Sequence, residues 1–143
     1  MFVPPADITN MKKKGILNPE LARIIAAMGH GDKLVICDSG LPIPRDKPTV
    51  NVLLTLGIPR FIDTVKVVLE ELHVEQAIIA SEMEKASNPL YKELKTVLAG
   101  SPIKKVSHEK FKEIARTESD VSFVRTGEAT KYANVILVAG VVF

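Results

Sequence analysis

The histidine between two glycines in Gly29-His30-Gly31-Asp32 is the residue of this sequence whose setting best suits proton transfer. An unperturbed imidazole titrates at about 6.5, so near neutral pH one such group can both take and give a proton. Flanking glycines let a ligand approach the main chain closely, but a histidine so placed is more often an ordinary turn residue than a catalyst. Asp38 closes an apolar run, where it can either accept from a ligand hydroxyl or cap the Pro-rich loop that follows through an Asx turn. His108 comes directly after Ser107, at a site that fits a ligand contact or a plain helix start. Tyr132, Ala133 and Asn134 lead into the last apolar segment. A phenol and a carboxamide each donate and accept hydrogen bonds, which suits a ligand rich in hydroxyls. The third histidine, His73, reads as the end of a helix, where a cation favourably meets the negative end of the dipole.

Several chemistries lack their residues. There is no Gly-x-Gly-x-x-Gly fingerprint, no Walker-type Gly-Lys-Ser/Thr and no Gly-x-Ser-x-Gly elbow. The histidines at 30, 73 and 108 do not have the short spacings of structural zinc sites and Cys37 stands alone, so neither a metal nor a cofactor is expected. With 19 basic and 17 acidic residues the formal charge is +2, and the one basic run, Lys12, Lys13 and Lys14, reads as a solvated edge rather than a nucleic-acid surface. No stretch approaches the roughly 18 consecutive apolar residues of a membrane span. A lone cysteine inside an apolar run fits a reducing compartment, and the cytoplasm is the expected location.

The elements that must position these side chains follow from periodicity. At 143 residues, 46% apolar and 25% charged, the chain fits one domain of ordinary size. Residues 1–10 contain two prolines and no periodicity and are expected to form a disordered extension, leaving 11–143 as the domain. Asn18-Pro19-Glu20 supplies an N-cap, a first-turn proline and a first-turn acid for a helix over 19–28 that Gly29 stops. A second helix opens at Pro59, with Phe61, Val65, Val68, Leu69 and Leu72 on one face and Arg60, Asp63, Lys66 and Glu70 on the other. Asn88-Pro89 starts a third, to about Leu98, and His108 a fourth, to about Arg116. Strands are expected at 34–37, 49–54, 74–80, 103–107, 121–125 and, as a long final run, 134–143. Helices alternating with apolar strands imply an α/β fold: one three-layer domain with a central, mostly parallel sheet and helices on both faces. In such sheets ligands sit beyond the carboxyl ends of strands, which singles out Asp38, Ser81-Glu82, Ser107-His108 and 126–128.

Seven ordered stretches carry a resemblance that no single motif would. They are Lys-Gly-x-Leu-Asn at 14–18, Gly-His-Gly-Asp at 29–32, Cys-Asp-Ser-Gly-Leu-Pro-Ile-Pro at 37–44, Ala-Ile-Ile-Ala at 77–80, Ser-His-Glu-x-Phe-Lys at 107–112, Arg-Thr-Gly-Glu at 125–128 and Tyr-Ala-Asn-Val-Ile-Leu at 132–137. Together the chain resembles the ribose pyranase and fucose mutarotase superfamily from about Lys13 to Phe143. The resemblance implies that His30 is the catalytic proton donor and that Asp38, His108 and the segment Tyr132, Ala133, Asn134 bind the sugar. It also implies interconversion of β-pyranose and β-furanose D-ribose without a cofactor, in a cyclic homo-oligomer of ten copies. The loop at 40–44 resembles the ribose branch, whereas Gly-His-Gly-Asp is common to both branches. A mutarotase for L-fucose or another aldose, and a non-enzymatic sugar-binding subunit of an uptake system, are the competing readings. Lys112, one helical turn after His108, is a further candidate for the same pocket.

Opening a pyranose removes a proton from the anomeric hydroxyl and delivers one to the ring oxygen, so a single group titrating near neutrality can serve both steps. Placement poses a difficulty, since His30 precedes a strand and Asp38 follows it. At about 3.3 Å per residue the strand holds them roughly 16 to 20 Å apart. Either the chain turns back around Gly31, or the pocket combines His30 of one subunit with Asp38 of another. The second arrangement is the expectation, because it would explain why a small cofactor-free enzyme is oligomeric.

Overall fold

The structure, a computed structural model, describes residues 11–143; the expected extension over 1–10 lies outside the described residues. Eleven elements follow in the order α1 Pro19–Ala27, β1 Lys33–Cys37, β2 Thr49–Asn51, α2 Phe61–Leu69, β3 Val74–Ala80, α3 Met83–Ala86, α4 Asn88–Leu98, β4 Ile103–Val106, α5 His108–Thr117, β5 Val121–Arg125 and β6 Val135–Ala139. The six strands form one sheet in the order β2-β5-β1-β6-β3-β4. Pairs β2·β5, β5·β1 and β3·β4 are parallel, and only β6 runs against its neighbours β1 and β3. The mostly parallel sheet expected from the sequence is therefore present.

Period-two alternation divides the sheet residues between two cores. Leu34 and Ile36 of β1, with Val135 and Leu137 of β6, face α1, α2 and α4, where Leu21, Phe61, Val65 and Leu94 are buried. Val35 and Cys37, with Ile136 and Val138, face the opposite way onto Phe111 and Ala115 of α5. Each fully buried side chain of this size contributes about 1.5–3 kcal/mol. Both faces of β1 and β6 are thus covered, which is why those strands read as unbroken apolar runs.

Two helix starts, those of α1 and α5, are held as their sequences imply. Asn18 Oδ1 accepts from the Leu21 N–H at 3.0 Å, and Ser107 Oγ accepts from the Lys110 N–H at 3.1 Å. Helix α2 begins two residues after Pro59, and its N-cap residue Arg60 supplies no side-chain bond. Instead, the Phe61 N–H donates to Glu128 Oε1 at 3.0 Å, a cap delivered from 67 residues away.

Four expectations need correction. Asn88 does not cap α4: it lies inside the helix and its Nδ2 donates to Glu84 O of the unexpected short helix α3, while Ser87 precedes the helix and donates to Lys131 O. The 49–54 strand stops at Asn51, after which the chain folds into a loop with Leu54 and Thr55 both donating to Ile58 O. The final strand stops at Ala139 rather than running to Phe143. Its neighbours start at Lys33, opposite Val138, and at Val74, opposite Ala139, so no strand remains to pair with 141–143. His73 lies beyond the end of α2 at Leu69, and its carbonyl accepts from the Gly140 N–H at 2.9 Å. No described helix is long and apolar enough to cross a membrane.

Candidate functional site

Because β1, β3, β4 and β5 run in parallel, their carboxyl ends share one edge of the sheet, and the reversed β6 begins at that same edge. Topology alone therefore brings together Asp38 after β1, Ser81 and Glu82 after β3, His108 after β4, 126–128 after β5 and 132–134 before β6. A cleft of about 410 Å³ opens there, lined by Asp38, His108, Lys112, Lys131 and Tyr132 with residues 40–42 as one wall.

Each polar side chain at this edge is held by identifiable bonds. Asp38 Oδ1 accepts from the Gly40 N–H at 2.9 Å and Oδ2 accepts from Asn134 Nδ2 at 3.2 Å. The Asx turn and the ligand-facing carboxylate, alternatives in the sequence, are thus geometrically compatible. Asn134 is buried and stands behind Asp38 rather than lining the cleft; its Oδ1 accepts from the Asp38 N–H at 2.9 Å. Ala133 is fully buried with its methyl in the larger core, so its main chain alone is available to the site. Tyr132 has φ +63°, a left-handed conformation that costs a non-glycine residue about 1–3 kcal/mol and tends to mark functional positions. Its ring meets His108 edge-on, with centroids 5.1 Å apart.

His108 is fixed through its main chain, whose N–H donates to both carboxylate oxygens of Glu82 at 3.1 Å. Hydrogen bonds from the Glu82 and His108 main-chain N–H groups hold the Glu82 carboxyl below its ordinary range. His108 Nδ1 is buried and has no hydrogen-bond partner. A buried polar nitrogen without a partner costs about 1–3 kcal/mol. Lys112 reaches the cleft from one turn along α5 and pairs with Glu109 Oε1 at 2.8 Å. One carboxylate and two ammonium groups in a polar cleft suit a neutral polyol better than a strongly charged ligand.

Beneath the edge, Thr126 Oγ1 donates to Cys37 O at 2.7 Å, and Glu128 accepts from Thr130 Oγ1 at 2.7 Å as well as from Phe61. Burial alone would raise the Glu128 carboxyl, but these donors and the Arg60 charge outweigh it and leave it below the ordinary range. Cys37 is no nucleophile, since burial above all, with the Asp38 charge, pushes its thiol up to about 12. Among the described residues no three His, Cys, Asp or Glu side chains are gathered so as to hold a metal ion.

His30 is not at this edge. It occupies the second position of a tight turn in which the Asp32 N–H donates to Gly29 O at 3.1 Å and Gly31 has φ +88°. That turn precedes β1, so the strand separates His30 from Asp38 by about 16 Å or more. The chain does not double back at Gly31, whose N–H instead donates to Ala139 O, at the far end of β6. At its own edge the exposed imidazole Nε2 lies 2.9 Å from Glu75 Oε2. No local signal marks Glu75, whose pairing with His30 spans 45 residues. Only the strand-end rule marks Glu82.

Comparison with known proteins identifies the family. The chain is 51% identical to a protein of Coprothermobacter proteolyticus named D-ribose pyranase and 47% identical to one of Petrotoga mobilis with the same name, each alignment covering 93% of this chain and all of the relative. Among solved structures it superposes on Bacillus subtilis RbsD complexed with D-ribose with a TM-score of 0.87 at 44% identity, covering 93% of this chain and all of that one. A protein-family match spans residues 11–142, and the chain belongs to the RbsD / FucU transport protein family.

Proposed function

We propose that this protein is an isomerase that interconverts the pyranose and furanose forms of D-ribose. The observation that carries the reading is the cleft in which Asp38, His108 and Tyr132 converge. It is supported by full-length similarity to D-ribose pyranases and to a protein crystallised with D-ribose. Asp38 accepts from sugar hydroxyls, His108 and Tyr132 bond others, Asn134 holds Asp38 in place, and Ala133 contributes main chain.

In the reaction the bond between C1 and the ring oxygen O5 breaks. The anomeric hydroxyl loses its proton as C1 becomes a carbonyl, and O5 gains one to become the free primary hydroxyl. The O4 hydroxyl then adds to C1, losing its proton while the carbonyl oxygen takes one up, so nothing is gained or lost overall. His30 moves these protons, an acid-base contribution worth roughly 10²- to 10⁴-fold in rate.

Since His30 and Asp38 lie at opposite edges of one sheet, a complete site combines the cleft of one copy with His30 of a neighbour. The active form is accordingly a cyclic homo-oligomer, ten copies by the family resemblance, acting on free sugar in the cytoplasm. Exposed Leu17, Leu54, Leu56, Ile58 and Val67 supply apolar surface for subunit contact.

The test is exchange NMR on a panel of free aldoses. Ribose pyranose and furanose signals should exchange faster with the protein present, and His30→Ala should abolish the acceleration. Acceleration confined to fucose or another aldose would replace the substrate, and binding without any rate effect would defeat the enzymatic reading.

A further inference from the structure

We infer that Glu75 is a positioning residue for His30, fixing which imidazole nitrogen carries the proton. The inference rests on the reading that His30 performs the proton transfer.

Two independent features aim Glu75 at the histidine. The first is a break in the sheet. Val74 pairs with Ala139 and Gln76 with Val138, so the register shifts across Glu75, leaving it the extra residue of a β-bulge. Bulges redirect one side chain out of the regular alternation and recur beside active sites. The second is Gly140, opposite the bulge. A Cβ there would lie 3.0 Å from Glu75 Cβ and 3.0 Å from His73 Cδ2, so a side chain at 140 would press on the bulge.

The end of β6 fastens both partners. Ala139 accepts from the Gly31 N–H and donates to Asp32 O, holding the His30 turn, while the Gly140 N–H donates to His73 O, holding the approach to Glu75. Asp32 Oδ2 additionally accepts from the Gly29 N–H at 2.8 Å, closing the turn from within. Histidine and carboxylate thus stand on two segments clamped to the adjacent residues Ala139 and Gly140, and Nε2 meets Oε2 at 2.9 Å.

An ionised carboxylate only accepts, so a neutral His30 bonded to it carries its hydrogen on Nε2 and presents Nδ1 with a free lone pair. Nδ1 is then the atom that takes the proton of the anomeric hydroxyl, and Glu75 lies beside the imidazolium that results. A carboxylate behind a catalytic imidazole plays the same orienting part in hydrolase triads, where losing the correct tautomer costs about 10⁴-fold. An exposed pair should cost less.

Glu75→Ala should lower kcat for ribose exchange about tenfold or more with KM within about twofold, since the sugar contacts are at the other edge. The ¹⁵N spectrum of neutral His30, assigned by comparison with His30→Ala, should lose its preference for hydrogen on Nε2. Glu75→Gln keeps an accepting oxygen and should restore the tautomer and part of the rate. If the alanine variant does not fold, Glu75→Met, which has similar bulk and no oxygen, takes its place. An unchanged kcat, or an unchanged tautomer at a lowered kcat, overturns the inference. A His30→Ala protein that retains full activity would instead remove the reading on which it rests.

Discussion

Asp38 and Asn134, 96 residues apart, grip each other by two hydrogen bonds: the Asp38 N–H donates to Asn134 Oδ1 at 2.9 Å, and Asn134 Nδ2 donates to Asp38 Oδ2 at 3.2 Å. With Gly40 N–H on the other carboxylate oxygen, Asp38 is held at both oxygens and at its main chain. The pair ties the end of β1 to the start of the antiparallel β6, so the sheet itself orients the acid. A carboxylate held in this way meets a sugar hydroxyl with little ordering left to do.

Replacing Asn134 by alanine should therefore weaken both stability and binding. The half-buried Asp38 N–H would lose its acceptor, a cost of about 1 kcal/mol in chemical denaturation. The released Asp38 should raise the KM for ribose several-fold while the proton-transfer step at saturating sugar changes less. A variant with lowered kcat and unchanged KM would show that Asn134 acts on the chemistry rather than through Asp38.

Gly127 fills a tighter place than its neighbours. A Cβ there would lie 2.6 Å from both the carbonyl carbon and the amide nitrogen of Ile58, and the Gly127 carbonyl accepts from the Gly57 N–H at 2.5 Å. Main chain cannot yield as a flexible side chain can, so Gly127→Ala should push the 52–58 loop away at a cost of about 1–3 kcal/mol. Gly57→Ala meets no atom but sits at φ +88°, and should also destabilise, through backbone strain alone. Thermal melts of the two variants test this, and a Gly127→Ala protein as stable as the parent would contradict the close approach.

The sheet was legible because its signals are local. Leu34 to Cys37 and Ala77 to Ala80 are apolar on both faces, and Asn18-Pro19 and Ser107 announce their helices within four residues. Where the sequence misled, the deciding contact was remote. Nothing near Val141 says that β1 and β3 begin too late to pair with it, and nothing near Asn88 says that its amide turns back to Glu84. The candidate site divides the same way. Asp38 and His108 could be gathered by the strand-end rule once the parallel order was assumed, whereas Tyr132 precedes its strand and reaches the same edge only because β6 is reversed; strand arithmetic already placed His30 elsewhere. Glu75 escaped because an acid near the start of a strand looks like a solvated charge, and Glu128, although the strand-end rule marks it, shows no sign in the sequence of capping a helix. Only the fold shows one meeting His30 and the other capping α2.

Glu128 should also make the fold acid-sensitive. Its folded carboxyl titrates below the ordinary value of 4.5, so the unfolded chain takes up a proton first as pH falls. The stabilisation from this group is complete above about 4.5 and declines as pH falls through the lower folded value. Glu128→Gln should flatten that part of the pH–stability curve, since an amide does not titrate. Denaturation midpoints from pH 7 to pH 3 measure the effect, and equal slopes in both proteins would exclude Glu128 as a source of it.

Separation of His30 from Asp38 leads to a quantitative test of the shared site. If each site takes Asp38 from one copy and His30 from its neighbour, neither His30→Ala nor Asp38→Ala protein is active alone. Dissociated, mixed in equal amounts and reassembled at random, the two variants should form every combination of neighbours. A working site needs the intact Asp38 of a His30→Ala copy beside the intact His30 of an Asp38→Ala copy, and chance supplies that in about one site in four in a closed symmetric ring. Ribose exchange should thus return to about a quarter of the parent rate, rising and falling symmetrically as the mixing ratio is varied. A site built within one subunit gives no recovery at any ratio, because every subunit then carries one of the two lesions.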